Sequence, residues 1–295
     1  MKGMNEPMKR IFALILAMLM LLSAGAFAEE AGNNGDLMII RETQDGASDD
    51  YDGDGKTEAL SFAAKLDEYG DGSFTIGVGD QTLSIDGCMA LSGKVYALKL
   101  AFGSYYNPVG FWGTLFMANE FGPSDDPLTY CFFYTDGKLY NVGAIPSAPD
   151  AMSVNMDGLI TTQVRAARIG TWSRPADYKL ASGHDWSSDN AIAYYQMTEI
   201  PRDVYPMGMI VDLKIDLPLL ASRYDADASA TLKAGQQVVL AATDDCRWLC
   251  VSSLDGETSG WVKLTGATDT FTDGVVVNGQ ATDVNDVFGN ILYAD

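Results

Sequence analysis

The chain has 295 residues, with 40 Asp and Glu against 19 Lys and Arg, a formal net charge of −21. So acidic a chain repels nucleic acid and anionic membrane surfaces, whose binding rests on Lys and Arg. The same acidity suits cation binding, or simply the solubility of an exported protein.

Lys9 and Arg10 precede an apolar run, Ile11 to Leu22, and Ala26-Phe27-Ala28 follows as an A-x-A cleavage site. This order reads as a signal peptide over residues 1–28, because the apolar run is shorter than the roughly 20 residues of a spanning helix. Its removal takes away three basic side chains and one acid, moving the net charge from −21 to −23. The expected location is secreted or envelope-associated, with no membrane span after signal removal. Residues 29–36, "EEAGNNGD", read as a flexible leader.

From residue 37 onward, Asp-Gly pairs punctuate short aromatic and β-branched runs such as "SFTIGVG", "KVYALKLAF" and "QQVVLAAT". Asp-Gly between such runs signals a hairpin, since both residues tolerate positive φ. Long stripes of 3.6-residue period are missing, and "ITTQVRAARIG" reads as either helix or strand. The expected fold class is all-β. A change of texture near Ile215 divides residues 37–214 from residues 215–295.

"DDYDGDGKTEAL", Asp49 to Leu60, carries the clearest chemistry. Calcium takes 6–8 oxygen ligands, and alternate positions of a curled loop point inward. Asp50, Asp52, Asp54 and Glu58 are the expected side-chain ligands, with Lys56 giving its backbone carbonyl and Gly55 the sharp turn. An EF-hand would need a bidentate Glu at the twelfth loop position, which is Ser61. A solvated Asp-Gly turn without metal is the alternative. The stretch resembles the calcium loop of FG-GAP (integrin-like) repeats, D-x-D-x-D-G-x-x-[DE]. That resemblance implies calcium as cofactor and a propeller-like domain over 37–214, or else a twisted β-meander.

In the second region, Leu232, Gly235, Val238, Trp248, Val251, Gly260, Trp261 and Val262 form an "L-x-x-G-x-x-V … W-x-x-V … G-W-V" pattern. It resembles a bacterial SH3-like barrel, followed by a C-terminal extension. The resemblance implies an aromatic groove for a cell-wall or other extracellular ligand, with Tyr224, Trp248 and Trp261 as candidates. Burial of either tryptophan in the barrel core is the competing reading. Together the two regions resemble exported proteins of Gram-positive bacteria.

Catalytic signals are sparse. His184, in "SGHDWSS", is the only histidine and reads as part of a surface loop; no G-x-S-x-G elbow occurs. Zinc spacing is absent from Cys88, Cys131, Cys246 and Cys250. Cys246 and Cys250, on one strand, would be ~13 Å apart, too far to bridge, whereas a Cys88–Cys131 disulfide stays open. The expectation is a non-enzymatic, calcium-stabilised binding protein. The alternative is a secreted glycan or peptidoglycan hydrolase targeted by the SH3-like module, which would need two cleft carboxylates about 5–10 Å apart.

Overall fold

The computed structural model describes residues 39–68, 71–89, 91–104, 107–121, 126–185, 192–267 and 273–293. Their regular secondary structure is almost entirely antiparallel strand, and they form two compact units. The expected signal peptide and leader lie outside them.

The N-terminal unit takes in residues 39–165 and 175–201. Its first sheet runs β2 (Ser48–Asp49), β3 (Glu58–Leu66), β4 (Asp71–Val78), β5 (Gln81–Met89). Its second runs β6 (Leu91–Ser104), β7 (Asn107–Phe121), β8 (Pro127–Thr135), β9 (Lys138–Ile145), with β1 (Arg41–Thr43) added beside β6. Its third runs β10 (Ser153–Val154), β11 (Ile160–Arg165), β12 (Ser173–Asp185), β13 (Ile192–Ile200). The ambiguous "ITTQVR" is therefore strand β11.

The second sheet is the middle layer. Side chains alternate faces along a strand, so Phe116, Ala118, Phe132 and Tyr134 join a core with Leu60, Phe74 and Ile76 of the first sheet. Leu115, Met117, Cys131 and Phe133 join a core with Val164, Tyr178 and Leu180 of the third. Covering on both faces explains why β7 and β8 read as unbroken apolar runs, "LFMA" and "CFFY", where a half-exposed strand would alternate. The same alternation puts Cys88 and Cys131 in different core layers, and both are free thiols. The disulfide left open by the sequence does not form.

The C-terminal unit takes in residues 166–174 and 202–293. Its strands are β14 (Tyr205–Leu213), β15 (Leu217–Leu220), β16 (Ala228–Leu232), β17 (Gln237–Thr243), β18 (Trp248–Ser253), β19 (Ser259–Ala267), β20 (Asp273–Val277), β21 (Gln280–Asp283) and β22 (Phe288–Gly289). One turn of helix, α1 (Val284–Val287), precedes β22. The sheet path is β16-β15-β19-β18-β17-β14-β22, with β20 and β21 branching from β19. This path is open at β16 and β22, and among the described residues no sheet closes into a barrel. Ile215, the expected boundary, lies between β14 and β15, both of which belong to this unit.

Residues 166–174 enter the unit from between β11 and β12. Asp245 accepts hydrogen bonds from the Ala167 and Arg168 N–H groups and from Arg174 Nε, at 2.8–3.1 Å. Asp273 accepts from Arg168 Nη1 at 2.7 Å and Ile169 N–H at 2.6 Å. Ile169, fully buried in the core with Val211, Leu249 and Val262, has φ +61°. A β-branched residue rarely adopts that conformation, and here two carboxylates hold the backbone N–H groups of Ala167, Arg168 and Ile169 leading into it.

The Asp-Gly pairs have mixed fates. Asp136 (φ 50°) and Gly137 (φ 67°) make the two-residue β8–β9 turn, as the hairpin rule expects. Asp86-Gly87 instead lies inside β5. There Gly87 is an extra residue against the partner strand, where Gly72 pairs with Cys88 and Ser73 with Asp86. That arrangement is a bulge.

Candidate metal centre

The segment Asp50–Thr57 joins β2 to β3, whose ends pair in register as Asp49 with Glu58. Gly53 (φ 78°) and Gly55 (φ 83°) let the chain curl, and the carboxylates tie it to itself. Asp50 accepts from the Gly53 N–H at 2.6 Å and the Gly55 N–H at 3.0 Å. Asp52 accepts from the Asp54 N–H at 3.3 Å, and Glu58 from the Tyr51 N–H at 3.0 Å.

Three contacts fasten this loop to the middle sheet. The Tyr51 ring is 3% exposed and packs edge-on against Phe116, centroids 5.0 Å apart. Thr114 Oγ1 donates to the Tyr51 carbonyl at 2.8 Å. The Gly137 N–H, at the β8–β9 turn, donates to Asp52 Oδ2 at 2.7 Å.

Asp50, Asp52 and Glu58 can each offer a carboxylate oxygen within 4.8 Å of the other two. Hard carboxylate oxygens suit a divalent cation such as calcium or magnesium better than a soft metal. Asp54 is not in this group. Its Oδ2 pairs with Lys56 Nζ at 2.6 Å and its Oδ1 accepts the Lys56 N–H at 2.8 Å. The Lys56 hydrogen bond is the main reason the Asp54 carboxyl sits below its ordinary range and the Lys56 amine above its own. A cation two residues away on the same loop has taken the carboxylate that the spacing reserves for an ion.

The aromatic candidates fall in the C-terminal unit. Register pairs Trp248 with Lys263 and Cys250 with Trp261, so all four side chains share one face of β18 and β19. Leu249, Val251, Val262 and Leu264 take the other face, into the core. Both tryptophans are half-buried on the outer face and neither fills the core. The Arg223 guanidinium lies over the Trp261 ring, 5.1 Å from its centroid, and grips Asp203 at 2.6 and 2.7 Å. Tyr224, beside it, is 91% exposed.

His184 is in β12, in register with Ala193 of β13, so "SGHD" is strand where a loop was expected. Sequence reasoning missed Thr114, Tyr134 and Gly137 around the acidic loop. All three are 55 or more positions away, and no local signal marks them. Comparison with protein-family models, curated proteins and solved structures finds no match to this chain.

Proposed function

We propose that this is an exported, non-enzymatic binding protein whose N-terminal unit is stapled by calcium and whose C-terminal unit presents an aromatic face to a cell-wall or other extracellular ligand. The observation that carries the reading is the convergence of Asp50, Asp52 and Glu58 in a loop fastened at Tyr51 and Asp52 to the middle sheet. An ion there would neutralise three clustered carboxylates and hold two layers together. Its role is structural.

Three successive four-stranded meanders, β2–β5, β6–β9 and β10–β13, support a propeller-like reading of this unit. Such meanders stacked face to face are how propeller blades pack. In the C-terminal unit, the succession β15–β19 with Gly235 and Gly260 at its turns and edges supports the SH3-like reading. Gly260 is required by close approach: a Cβ there would stand 2.5 Å from the Leu220 carbonyl oxygen. Trp248 and Trp261, diagonal neighbours about 7–8 Å apart by strand geometry, and the exposed Tyr224 supply stacking surface for the ligand.

Calorimetric titration of the protein with calcium tests the first half. Binding that disappears in Asp50→Asn and Asp52→Asn is expected; an unaltered protein that gives no heat overturns it. Sedimentation with purified cell wall tests the second: Trp248→Ala and Tyr224→Ala should lower retention, and no retention of the parent protein removes the wall ligand.

A further inference from the structure

Two hairpin turns of this protein share one geometry and differ in one hydrogen bond. The β8–β9 turn is Asp136-Gly137, closed by Thr135 paired with Lys138, and the β20–β21 turn is Asn278-Gly279, closed by Val277 paired with Gln280. Their φ values are 50° and 67° in the first and 50° and 80° in the second, left-handed at both positions. Asp-Gly and Asn-Gly are the pairs that accept such a turn most readily. In the first, the Gly137 N–H donates to Asp52 Oδ2 at 2.7 Å. In the second, Asn278 and Gly279 are exposed, and the Gly279 N–H makes none of the hydrogen bonds among the described residues.

The other Asp-Gly turns resemble the first. Gly46 donates to the Leu60 carbonyl at 2.9 Å, Gly158 to the Asn155 carbonyl at 3.0 Å and Gly256 to the Ser253 carbonyl at 3.0 Å. Gly53 and Gly55 donate to the Asp50 carboxylate. The Gly279 nitrogen stands apart from all of these. Asn278 is also, among the described residues, the one asparagine that a glycine follows. A Cβ built on Gly279 would meet nothing within 4 Å, so this side of the turn is open space.

We propose that Asn278 is a site of self-modification, at which the Gly279 nitrogen attacks the Asn278 side-chain carbonyl carbon. A C–N bond forms between them, the bond to the side-chain amide nitrogen breaks, and ammonia leaves with the proton that the glycine nitrogen gives up. The succinimide ring so formed takes up one water and opens to aspartate or to isoaspartate. Nothing is oxidised or reduced, and water is the only co-reactant. Closing the ring requires the turn to loosen, a local opening that costs least where no hydrogen bond pins the glycine nitrogen. The product carries one more negative charge. In its isoaspartate form the main chain runs through the former side chain and is one atom longer, so the two-residue closure of Val277 on Gln280 is lost. Val275 and Val277 of the same strand are buried in the core of the C-terminal unit. Asp273, which begins that strand, holds Arg168 and the Ile169 N–H.

Incubation of the full chain at pH 8 and 37 °C, followed by digestion at acid pH and tandem mass spectrometry, tests this. Fragment ions should place the change from amide to acid at Asn278 before any other described asparagine, with isoaspartate among the products. The conversion should quicken as pH rises, because the attacking nitrogen must give up its proton. Asn34-Gly35 lies outside the described residues and falls in a separate peptide. Asn278→Asp puts Asp-Gly in both hairpin turns, and isoaspartate should then accumulate several-fold faster at 278 than at 136. Asn278 left intact in the folded chain, while it converts in urea, overturns the proposal. Equal conversion at 278 and 136 in the variant overturns the part given to the free N–H. Should the variant not fold, the order of conversion in the unaltered protein decides alone: another described asparagine reacting first, or none reacting, overturns the proposal.

Discussion

Lys56 competes with any ion for Asp54, and the competition is a matter of one exposed pair, 79% and 41% open at the two side chains. Exposed pairs are weak, so Lys56→Ala should release Asp54 and tighten calcium binding by up to about fivefold, read by calorimetry. High salt should narrow the difference between variant and parent, because it screens the same pair. The thiols give a second test at this scale. Cys131 is completely enclosed, and burial pushes its thiol up from 9.0 to about 12. The neutral thiol is the form the fold prefers. Its contribution is therefore full below about pH 9 and is lost as pH rises towards 12. At pH 8 exposed Cys246 should react with iodoacetamide in the native protein and Cys131 only after denaturation, as peptide mass spectrometry would show.

At the scale of elements, the segment 166–174 depends on Asp245, whose side chain is 5% exposed and grips Arg174, itself 13% exposed. The Arg174 guanidinium also lies over the Tyr205 ring, 4.5 Å from its centroid. Removing one partner of a buried pair strands the other charge. Asp245→Ala should cost about 3–5 kcal/mol in urea unfolding followed by tryptophan fluorescence, and release Ile169 from its left-handed conformation. Much of the fold at this scale was legible beforehand. The all-β class followed from alternation and from turn residues, and the β8–β9 hairpin from Asp136-Gly137. The convergence of Asp50, Asp52 and Glu58 was legible because these carboxylates are nearly consecutive. What was not legible is long-range. Gly87 shows as a bulge only against its partner strand. Lys56 reads as a backbone ligand until its amine is seen on Asp54.

For the whole molecule, the proposed calcium site is confined to one unit, so its effect should be confined too. At calcium about a hundredfold above Kd, ligand linkage supplies about 2.7 kcal/mol. For a unit of this size that should raise its melting temperature by about 5–10 °C in scanning calorimetry. A transition belonging to the C-terminal unit should stay in place, and chelation should reverse the shift. The path of the chain has a different consequence. It passes from the N-terminal unit into residues 166–174, back into 175–201, and out again to 202–293. Neither unit is a continuous stretch of sequence, so neither can be cut out by choosing two end points. A fragment beginning at Arg202 would lack Ile169 and leave Asp245 and Asp273 without the backbone N–H groups they bind. A protease that nicks the chain between Pro201 and Tyr205 would yield two bands on a denaturing gel and one particle in solution. The severed C-terminal piece would still be clasped to residues 166–174 of the other, as two pieces of cloth stay joined by a second seam after the first is cut.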